Sequence, residues 1–157
     1  IGSIQSQEVI DVIDPVKDVD GCTTFNKELL SKSDIASLSL VHVPCAAMAM
    51  FHFLQSYHIP TNCRQAVVVG KSELVGIPCL SLLQKAGCSC SVIEKSTPHP
   101  QSIARKGDIL VTAVGHPGLI TKEWLKEGST VIDIGTTCVK IREESVSVSG
   151  ADDAKTS

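Results

Sequence analysis

The sequence predicts an α/β fold with three αβα layers and a mainly parallel sheet. Short apolar runs that suit buried strands alternate with segments whose apolar residues recur at helical spacing. The clearest strand candidate is 66–69, where four apolar residues run directly into a glycine. The clearest helix candidate follows at 75–86, with an apolar stripe on one face. Strands and helices that alternate in this way form parallel sheets with helices on both faces.

The first part of the chain is predicted to be mostly helical. The elements are a short helix at 6–13 that Pro15 ends, one or two helical turns at 25–33, a strand at 38–43 and a helix at 44–57. The helix at 44–57 is apolar on almost all sides, so we expect it to be largely buried.

The remaining elements continue the alternation. They are a strand at 66–69, a helix at 75–86, a strand at 90–93, a crossover segment at 100–106, a strand at 108–114, a capped helical turn at 121–127 and a strand at 130–134. Gly87 should stop the helix that precedes it, because glycine commonly follows a helix end. Beyond Gly135 the sequence alternates like a weak hairpin and then becomes polar.

Composition excludes several classes of protein. The net charge is −3, which provides no broad basic field for nucleic acid. The sequence contains no apolar run of the roughly eighteen residues that a membrane span needs. The seven cysteines are an odd count without a C-x-x-C pair, so we expect neither zinc nor a disulfide framework. Cys79, Cys88 and Cys90 should instead pack as small apolar side chains in a reducing compartment.

The segment from Gly70 to Gly76 resembles a phosphate-binding turn in which one glycine is displaced. A dinucleotide-binding turn has the spacing G-x-G-x-x-G, whose positions here are Gly70, Ser72 and Val75, with Gly76 one residue late. On spacing alone, a plain turn between strand and helix is an equal alternative. Ser72 could still offer a hydroxyl and a backbone N–H to a phosphate at the helix N-terminus.

Five motifs in register give the chain a family resemblance. They are DPVKDVDG at 14–21, Pro44-Cys45, VVVGKSELVGIP at 67–78, TAVGHPGLI at 112–120 and VIDIG at 131–135. In order and spacing they resemble the C-terminal half of methylenetetrahydrofolate dehydrogenase/cyclohydrolase, over about residues 8–135. The resemblance implies a Rossmann-like domain that binds NADP, with NAD as the alternative. The parent enzyme would oxidise methylenetetrahydrofolate by hydride transfer and then hydrolyse the methenyl product.

The resemblance also implies site residues and a division of the chain. The residues expected to bind cofactor are Gly70, Lys71, Ser72, Val75, Gly76, Pro78, Glu94, Lys95, Gly115, Pro117 and Gly135. Asp20, with Gly21, matches the carboxylate that recognises the pterin of a tetrahydrofolate derivative, since a pterin edge offers adjacent N–H donors. Residues 1–37 become an interdomain, folate-side segment, 38–137 the NAD(P)-binding domain and 138–157 a divergent tail.

The chain departs from the family pattern at the cofactor site. Lys71 replaces an arginine, so the positive charge is kept but the bidentate hydrogen bonding of a guanidinium group is lost. Glu94 and Lys95 stand where the family has a histidine and a serine. An acid after the second strand favours a ribose 2′-hydroxyl over a 2′-phosphate, whereas the two lysines favour the phosphate. A solvent-facing Glu94 without a role in binding remains an equal alternative.

Two expected motifs are missing from the sequence. The family's catalytic Tyr-x-x-x-Lys belongs to another domain, and the only tyrosine, Tyr57, has Thr61 four residues on. The segment P-G-G-V-G-P is also absent. The chain is therefore expected to contain no catalytic residue and to need an N-terminal catalytic domain, in a full enzyme that is a homodimer in the cytoplasm or mitochondria.

Two other interpretations stay open. The chain could be a catalytically silent binding or interaction domain derived from this family. If DPVKDVDG is a coincidence, it could be the nucleotide domain of some other dehydrogenase.

Overall fold

A computed structural model describes residues 6–137 as four parallel strands with helices on both sides. The elements are α1 Ser6–Ile10, α2 Thr24–Lys32, a 3₁₀ helix Leu38–Leu40, α3 Cys45–Ser56, β1 Gln65–Val69, α4 Gly76–Lys85, β2 Ser89–Ile93, α5 Pro100–Ala104, β3 Ile109–Thr112, a second 3₁₀ helix Lys122–Trp124 and β4 Thr130–Asp133. Within this range no helix is long and apolar enough to cross a membrane. The tail predicted at 138–157 lies outside the described residues.

The strand order of the sheet is β2-β1-β3-β4, and every pair is parallel. From β1 the chain passes outward to β2 and then crosses back to β3 on the opposite side of β1. The direction of winding therefore reverses between β1 and β3, and in open α/β sheets ligands bind at the strand carboxyl ends beside such a point. The predicted α/β fold with a parallel sheet is confirmed.

Two apolar clusters, one on each face, hold the three layers together. Alternate residues of β1 supply both of them: Ala66 and Val68 join the cluster formed with α3 and α4, while Val67 and Val69 join the one formed with α5 and Trp124. All four of these strand residues are almost fully buried. This explains why β1 reads as a continuous apolar run without polar alternation.

Two predicted elements take a different form. The strand predicted at 38–43 is wrong, because this segment begins with a 3₁₀ helix and joins no sheet among the described residues. Its apolar pattern reflects burial of Leu38 and Val43 in the core cluster. The helical turn predicted at 121–127 is a short 3₁₀ helix, and the Thr121 hydroxyl donates to Glu123 at 2.6 Å without capping the helix.

The predicted packing role of the cysteines is confirmed for Cys79 and Cys88, which are buried in the core cluster beside α4. Cys90 is half-buried and packs against the same cluster. Burial raises the pKa of the Cys79 thiol to about 12, which keeps it protonated and apolar in character.

We expect Leu82→Ala to lower the free energy of unfolding by about 3 kcal/mol, because Leu82 is fully buried between α4 and the sheet. Ile77→Ala on the same helix is the matched control, since Ile77 is 40% exposed. Urea unfolding of both variants measures the difference. Equal losses would contradict the assignment of α4's buried face.

Candidate functional site

Two cavities lie side by side at the carboxyl ends of the strands, and Val114 lines both of them. The first, of about 640 Å³, lies between the loops that follow β1, β2 and β3. The second, of about 430 Å³, lies between the loops that follow β3 and β4. We call the two cavities together the crevice. It occupies the point at which the strand order reverses.

The turn after β1 forms one wall of the first cavity. Gly70 has φ +99°, and a Cβ there would lie 2.9 Å from the carbonyl oxygen of Ala113. A glycine is therefore required for this turn to approach the loop after β3. Ser72, exposed on the turn, accepts a hydrogen bond at its Oγ from the Gly76 N–H at 3.2 Å. Because the oxygen accepts this bond, the hydroxyl proton remains available to an anion.

Four of the predicted cofactor residues, Val75, Gly76, Pro78 and Gly115, do not line the crevice. The sequence suggested that Gly76 must be glycine so that the backbone can approach a phosphate. The structure gives another reason. It is buried, and a Cβ there would lie 2.1 Å from the carbonyl oxygen of Gly70. Gly76 therefore lets the turn close on itself at the start of α4. Val75 packs against the core, and Pro78 is buried facing a separate groove.

The loops after β3 and β4 pack backbone to backbone. A Cβ on Gly115 would lie 2.4 Å from the Thr136 carbonyl oxygen, and one on Gly135 would lie 2.1 Å from that of Val114. Pro117 and Gly135 line the second cavity, whereas Gly115 does not and packs instead against the backbone of Thr136. The predicted residues after β3 and β4 thus lie at or beside one end of the crevice.

The charged residues of the crevice gather at its other end. Lys71 follows Gly70, and its Nζ lies 3.5 Å from Oε1 of Glu94, the first residue after β2. Thr97 closes the loop after β2, since the Glu94 N–H donates to Thr97 Oγ1 at 2.8 Å and the Thr97 N–H donates to the Glu94 carbonyl at 3.0 Å. Lys95 is exposed in that closed loop and lines the same cavity.

Sequence reasoning missed several crevice residues. Thr112 and Asp133 end β3 and β4, line the second cavity and are joined by a hydrogen bond from the Thr112 hydroxyl. That bond, with the Gly135 N–H at 3.0 Å, holds the pKa of Asp133 below its usual range. Their position as polar residues at strand carboxyl ends was a usable signal. Trp124, distant in sequence, lines the first cavity and gave no such signal.

The predicted folate residues lie away from the crevice. Gly21 lines a separate groove of about 350 Å³ together with Pro44 and Pro78. Asp20 is exposed, and its Oδ1 accepts a hydrogen bond from the Cys45 thiol at 3.1 Å. Its other carboxylate oxygen has no hydrogen-bond partner within residues 6–137. The hydrogen bond to Asp20 and the negative charge of that group raise the pKa of Cys45.

Asp18, which sequence reasoning did not single out, anchors the turn that carries Asp20. It is buried and accepts hydrogen bonds from the backbone N–H groups of Cys22 and Thr23, the Thr23 hydroxyl and the Asn26 side chain, at 2.7–3.0 Å. Burial by itself raises the pKa of Asp18, but these hydrogen bonds outweigh it and hold the pKa well below its usual range.

The residues of the crevice fit a dinucleotide. Ile93, Leu119 and Trp124 give the first cavity an apolar floor that suits a nucleoside base. The turn at its wall presents the Ser72 hydroxyl near the N-terminus of α4, where the helix dipole favours a phosphate. The fold and the crevice define the class of protein as a Rossmann-like nucleotide-binding α/β domain.

Comparison with known proteins identifies the family. Residues 44–156 match the family described as tetrahydrofolate dehydrogenase/cyclohydrolase, NAD(P)-binding domain. The chain belongs to this family, as the resemblance predicted, and the match identifies its NAD(P)-binding domain.

Individual relatives of known sequence and structure support the same family assignment. The chain is 38% identical over 137 residues to the cytoplasmic C-1-tetrahydrofolate synthase of Homo sapiens. The matched region covers 87% of this chain and 14% of the human protein. It is 37% identical over 134 residues to the bifunctional protein FolD of Staphylococcus saprophyticus, covering 85% of this chain and 45% of FolD. The crystal structure of the Trypanosoma brucei dehydrogenase-cyclohydrolase, complexed with NADP and an inhibitor, matches with a TM-score of 0.78 and 33% identity, over 87% of this chain and 46% of that one. The chain thus spans less than half the length of these relatives.

We expect Asp18→Ala to destabilise the chain by about 3 kcal/mol at pH 7, because four donors lose a charged acceptor. The pKa of Asp18 is lower in the folded state, so its contribution is present above the unfolded pKa of about 3.9 and is lost as the pH falls below it. Urea unfolding of wild type and variant at pH 7 and at pH 3 measures the loss of unfolding free energy at each pH. Asp14→Ala is the control, since exposed Asp14 accepts one local bond, from Val16 N–H. A loss for Asp18→Ala that is as large at pH 3 as at pH 7 would contradict the role.

Proposed function

We propose that this chain is the cofactor-binding portion of a bifunctional methylenetetrahydrofolate dehydrogenase/cyclohydrolase in one-carbon folate metabolism. The single observation that carries the proposal is the crevice at the β1/β3 switch point, walled by the Gly70 turn, in a chain of this family. A bound nicotinamide dinucleotide would accept hydride from the folate's one-carbon unit. The residues of this chain bind and orient it.

The residues at the two ends of the crevice would bind different parts of the dinucleotide. Ser72 would contact the phosphates through its hydroxyl, beside the N-terminus of α4, where the helix dipole favours an anion. Lys71, Glu94 and Lys95 would face the adenosine ribose. Pro117 and Gly135 line the cavity at the far end, which would take the nicotinamide.

The folate derivative would meet the chain through Asp20. A pterin edge presents adjacent N–H donors, and the Asp20 carboxylate is exposed to accept them. The Cys45 thiol, which donates to one carboxylate oxygen, would keep the group oriented. Gly21 would be part of the same contact surface.

The chemistry needs a second domain. Hydride transfer requires the folate to be held close to the nicotinamide, and hydrolysis requires a positioned proton-transfer group such as the family's lysine. The segment at 1–37 supports the presence of another domain, since several of its large apolar side chains are mostly exposed. They are Val9, Val12, Val16, Val19 and Phe25. We propose that an N-terminal catalytic domain covers this segment.

The setting of the complete enzyme is also a proposal. We propose a homodimer, in keeping with β2 and β4, which are sheet edges in the described part of the chain. We further propose a cytoplasmic or mitochondrial location, for which the cytoplasmic human relative gives partial support.

A second candidate function is a catalytically silent binding domain. The ion pair between Lys71 and Glu94 favours it, because the pair engages a lysine that would otherwise be free for a cofactor phosphate. Loss of dinucleotide binding with retention of the fold would support this alternative.

We expect the 157-residue chain to bind NAD or NADP, as measured by calorimetry. Ser72→Ala should weaken binding about fivefold through loss of a hydroxyl donor. Gly76→Val should abolish binding, because its side chain would displace the Gly70 carbonyl. Ser81→Ala, on α4 but facing the separate groove, is the control. Absence of binding by the folded wild-type chain would refute the cofactor assignment.

We expect no dehydrogenase or cyclohydrolase turnover from this chain alone. Adding the matching N-terminal domain should restore activity. In that reconstituted enzyme Asp20→Ala should raise the KM for folate while leaving dinucleotide affinity nearly unchanged, and Asp14→Ala should change neither. Turnover by the chain alone, or full activity of Asp20→Ala at limiting folate, would show that the chemistry resides elsewhere.

A further inference from the structure

The second cavity of the crevice carries one carboxylate, that of Asp133. This residue ends β4, lies beside Thr112 in the register of β3 and β4, and is exposed where it lines the cavity. Among residues 6–137 no lysine, arginine or other acidic residue lines this cavity, and His116 is its one other titratable side chain. Asp133 thus supplies the negative charge at this end of the crevice.

The carboxylate of Asp133 is held in place through one of its two oxygens. The Thr112 hydroxyl and the Gly135 N–H, the latter at 3.0 Å, both donate to Oδ1. Thr112 is itself buried, so packing fixes the donor. Oδ2 accepts no hydrogen bond from the part of the chain that the structure describes. The two donors also lower the pKa of Asp133, so the group is charged at neutral pH while one oxygen stays open to a ligand.

Apolar side chains form much of the rest of this cavity. Those that line it include Val114, Ile120, Leu125 and Val131. Apolar walls lower the local dielectric, so a charge on a ligand in the cavity interacts with Asp133 more strongly than it would in bulk water. A change in ligand charge at this end of the crevice should therefore alter the affinity.

The oxidised and reduced forms of a nicotinamide dinucleotide differ in the charge of the nicotinamide ring. The oxidised ring carries one positive charge. Accepting a hydride, which is a proton with two electrons, makes the ring neutral and leaves the phosphates and the adenosine unchanged. A charged group near the nicotinamide can therefore distinguish the two forms.

We infer that the Asp133 carboxylate makes this chain bind the oxidised dinucleotide more tightly than the reduced one. Asp133 attracts the positive ring of the oxidised form and has no such attraction to the neutral ring of the reduced form. The chain thereby takes up the hydride acceptor and releases the reduced product more readily. By linkage, the same preference makes hydride transfer on the protein less favourable by an equal factor. This inference rests on the proposed function, since it needs the nicotinamide to occupy the second cavity.

The test is a calorimetric titration of the full 157-residue chain with NADP in its oxidised and reduced forms, and with NAD in both forms. Wild type should bind the oxidised form more tightly. Asp133→Asn keeps the shape of the side chain and an acceptor for the Thr112 hydroxyl, but it removes the charge. It should lower the affinity for the oxidised form relative to the reduced form about fivefold.

Three controls separate this effect from a general change in the protein. ADP-ribose has no nicotinamide ring, so it should bind wild type and Asp133→Asn equally. Glu73→Gln removes a negative charge from the turn after β1, but Glu73 pairs with Lys27 at 3.1 Å and lines neither cavity of the crevice. It should leave the ratio of the two affinities unchanged. His116→Gln should also keep the preference, because the attraction comes from the carboxylate.

A second measurement needs no substitution. The phosphates are the same in the oxidised and reduced forms, so the effect of salt on their binding cancels in the ratio of the two affinities. The attraction between the exposed Asp133 carboxylate and the charged ring does not cancel. Screening should therefore shrink the wild-type preference at high salt.

The outcomes distinguish this inference from the function on which it rests. A wild-type preference for the oxidised form that Asp133→Asn lowers, with ADP-ribose binding unchanged, supports it. If wild type binds both forms equally, if Asp133→Asn keeps the full preference, or if His116→Gln abolishes it, the inference is overturned and the proposed function stands. If Asp133→Asn does not fold, a wild-type preference that is insensitive to salt overturns the inference. If the folded wild type binds neither form of either dinucleotide, both are overturned.

Discussion

The structure depends on one close approach, between the turn that follows β1 and the loop that follows β3. Gly70 lies against the backbone of Ala113, and Gly76 lies against the backbone of Gly70, in both cases with no room for a Cβ. These contacts bring the start of α4 to the point where the strand order reverses. The first cavity of the crevice exists because the loops after β1, β2 and β3 meet there. A side chain at either glycine would push the helix terminus away from the sheet.

The same region explains how one scaffold can hold groups of different chemistry. The buried strands end abruptly, so the polar residues that follow them are exposed at one rim of the sheet. Charge collects beside β2, while Thr112 and Asp133 form a hydrogen-bonded pair beside β4. On the other side of α4, Asp18 fixes the turn that presents Asp20. The folate-side and cofactor-side residues are therefore positioned by separate networks.

Much of the fold could be predicted from sequence, because β1 and α4 carry strong apolar patterns bounded by Gly70 and Gly87. The form of segment 38–43 could not be predicted. Its apolar residues are buried although they belong to a 3₁₀ helix and a loop, and the local apolar pattern does not distinguish such a segment from a buried strand. At the site, the motifs identified Gly70 and Ser72 on the crevice wall. They could not show that Gly76 packs against the Gly70 carbonyl, nor that Trp124 lines the same cavity, because both depend on contacts made only in the folded chain.

The most direct test of the central claim is an amide NMR titration of the isotope-labelled chain with NADP and with NAD. The account predicts that the largest shift changes fall on residues 70–72, 94–96 and 114–117, at the carboxyl ends of the strands. The amides of α3, on the face of the sheet, should change little. Shift changes concentrated at the amino ends of the strands, or in the groove beside Gly21, would contradict the placement of the cofactor in the crevice.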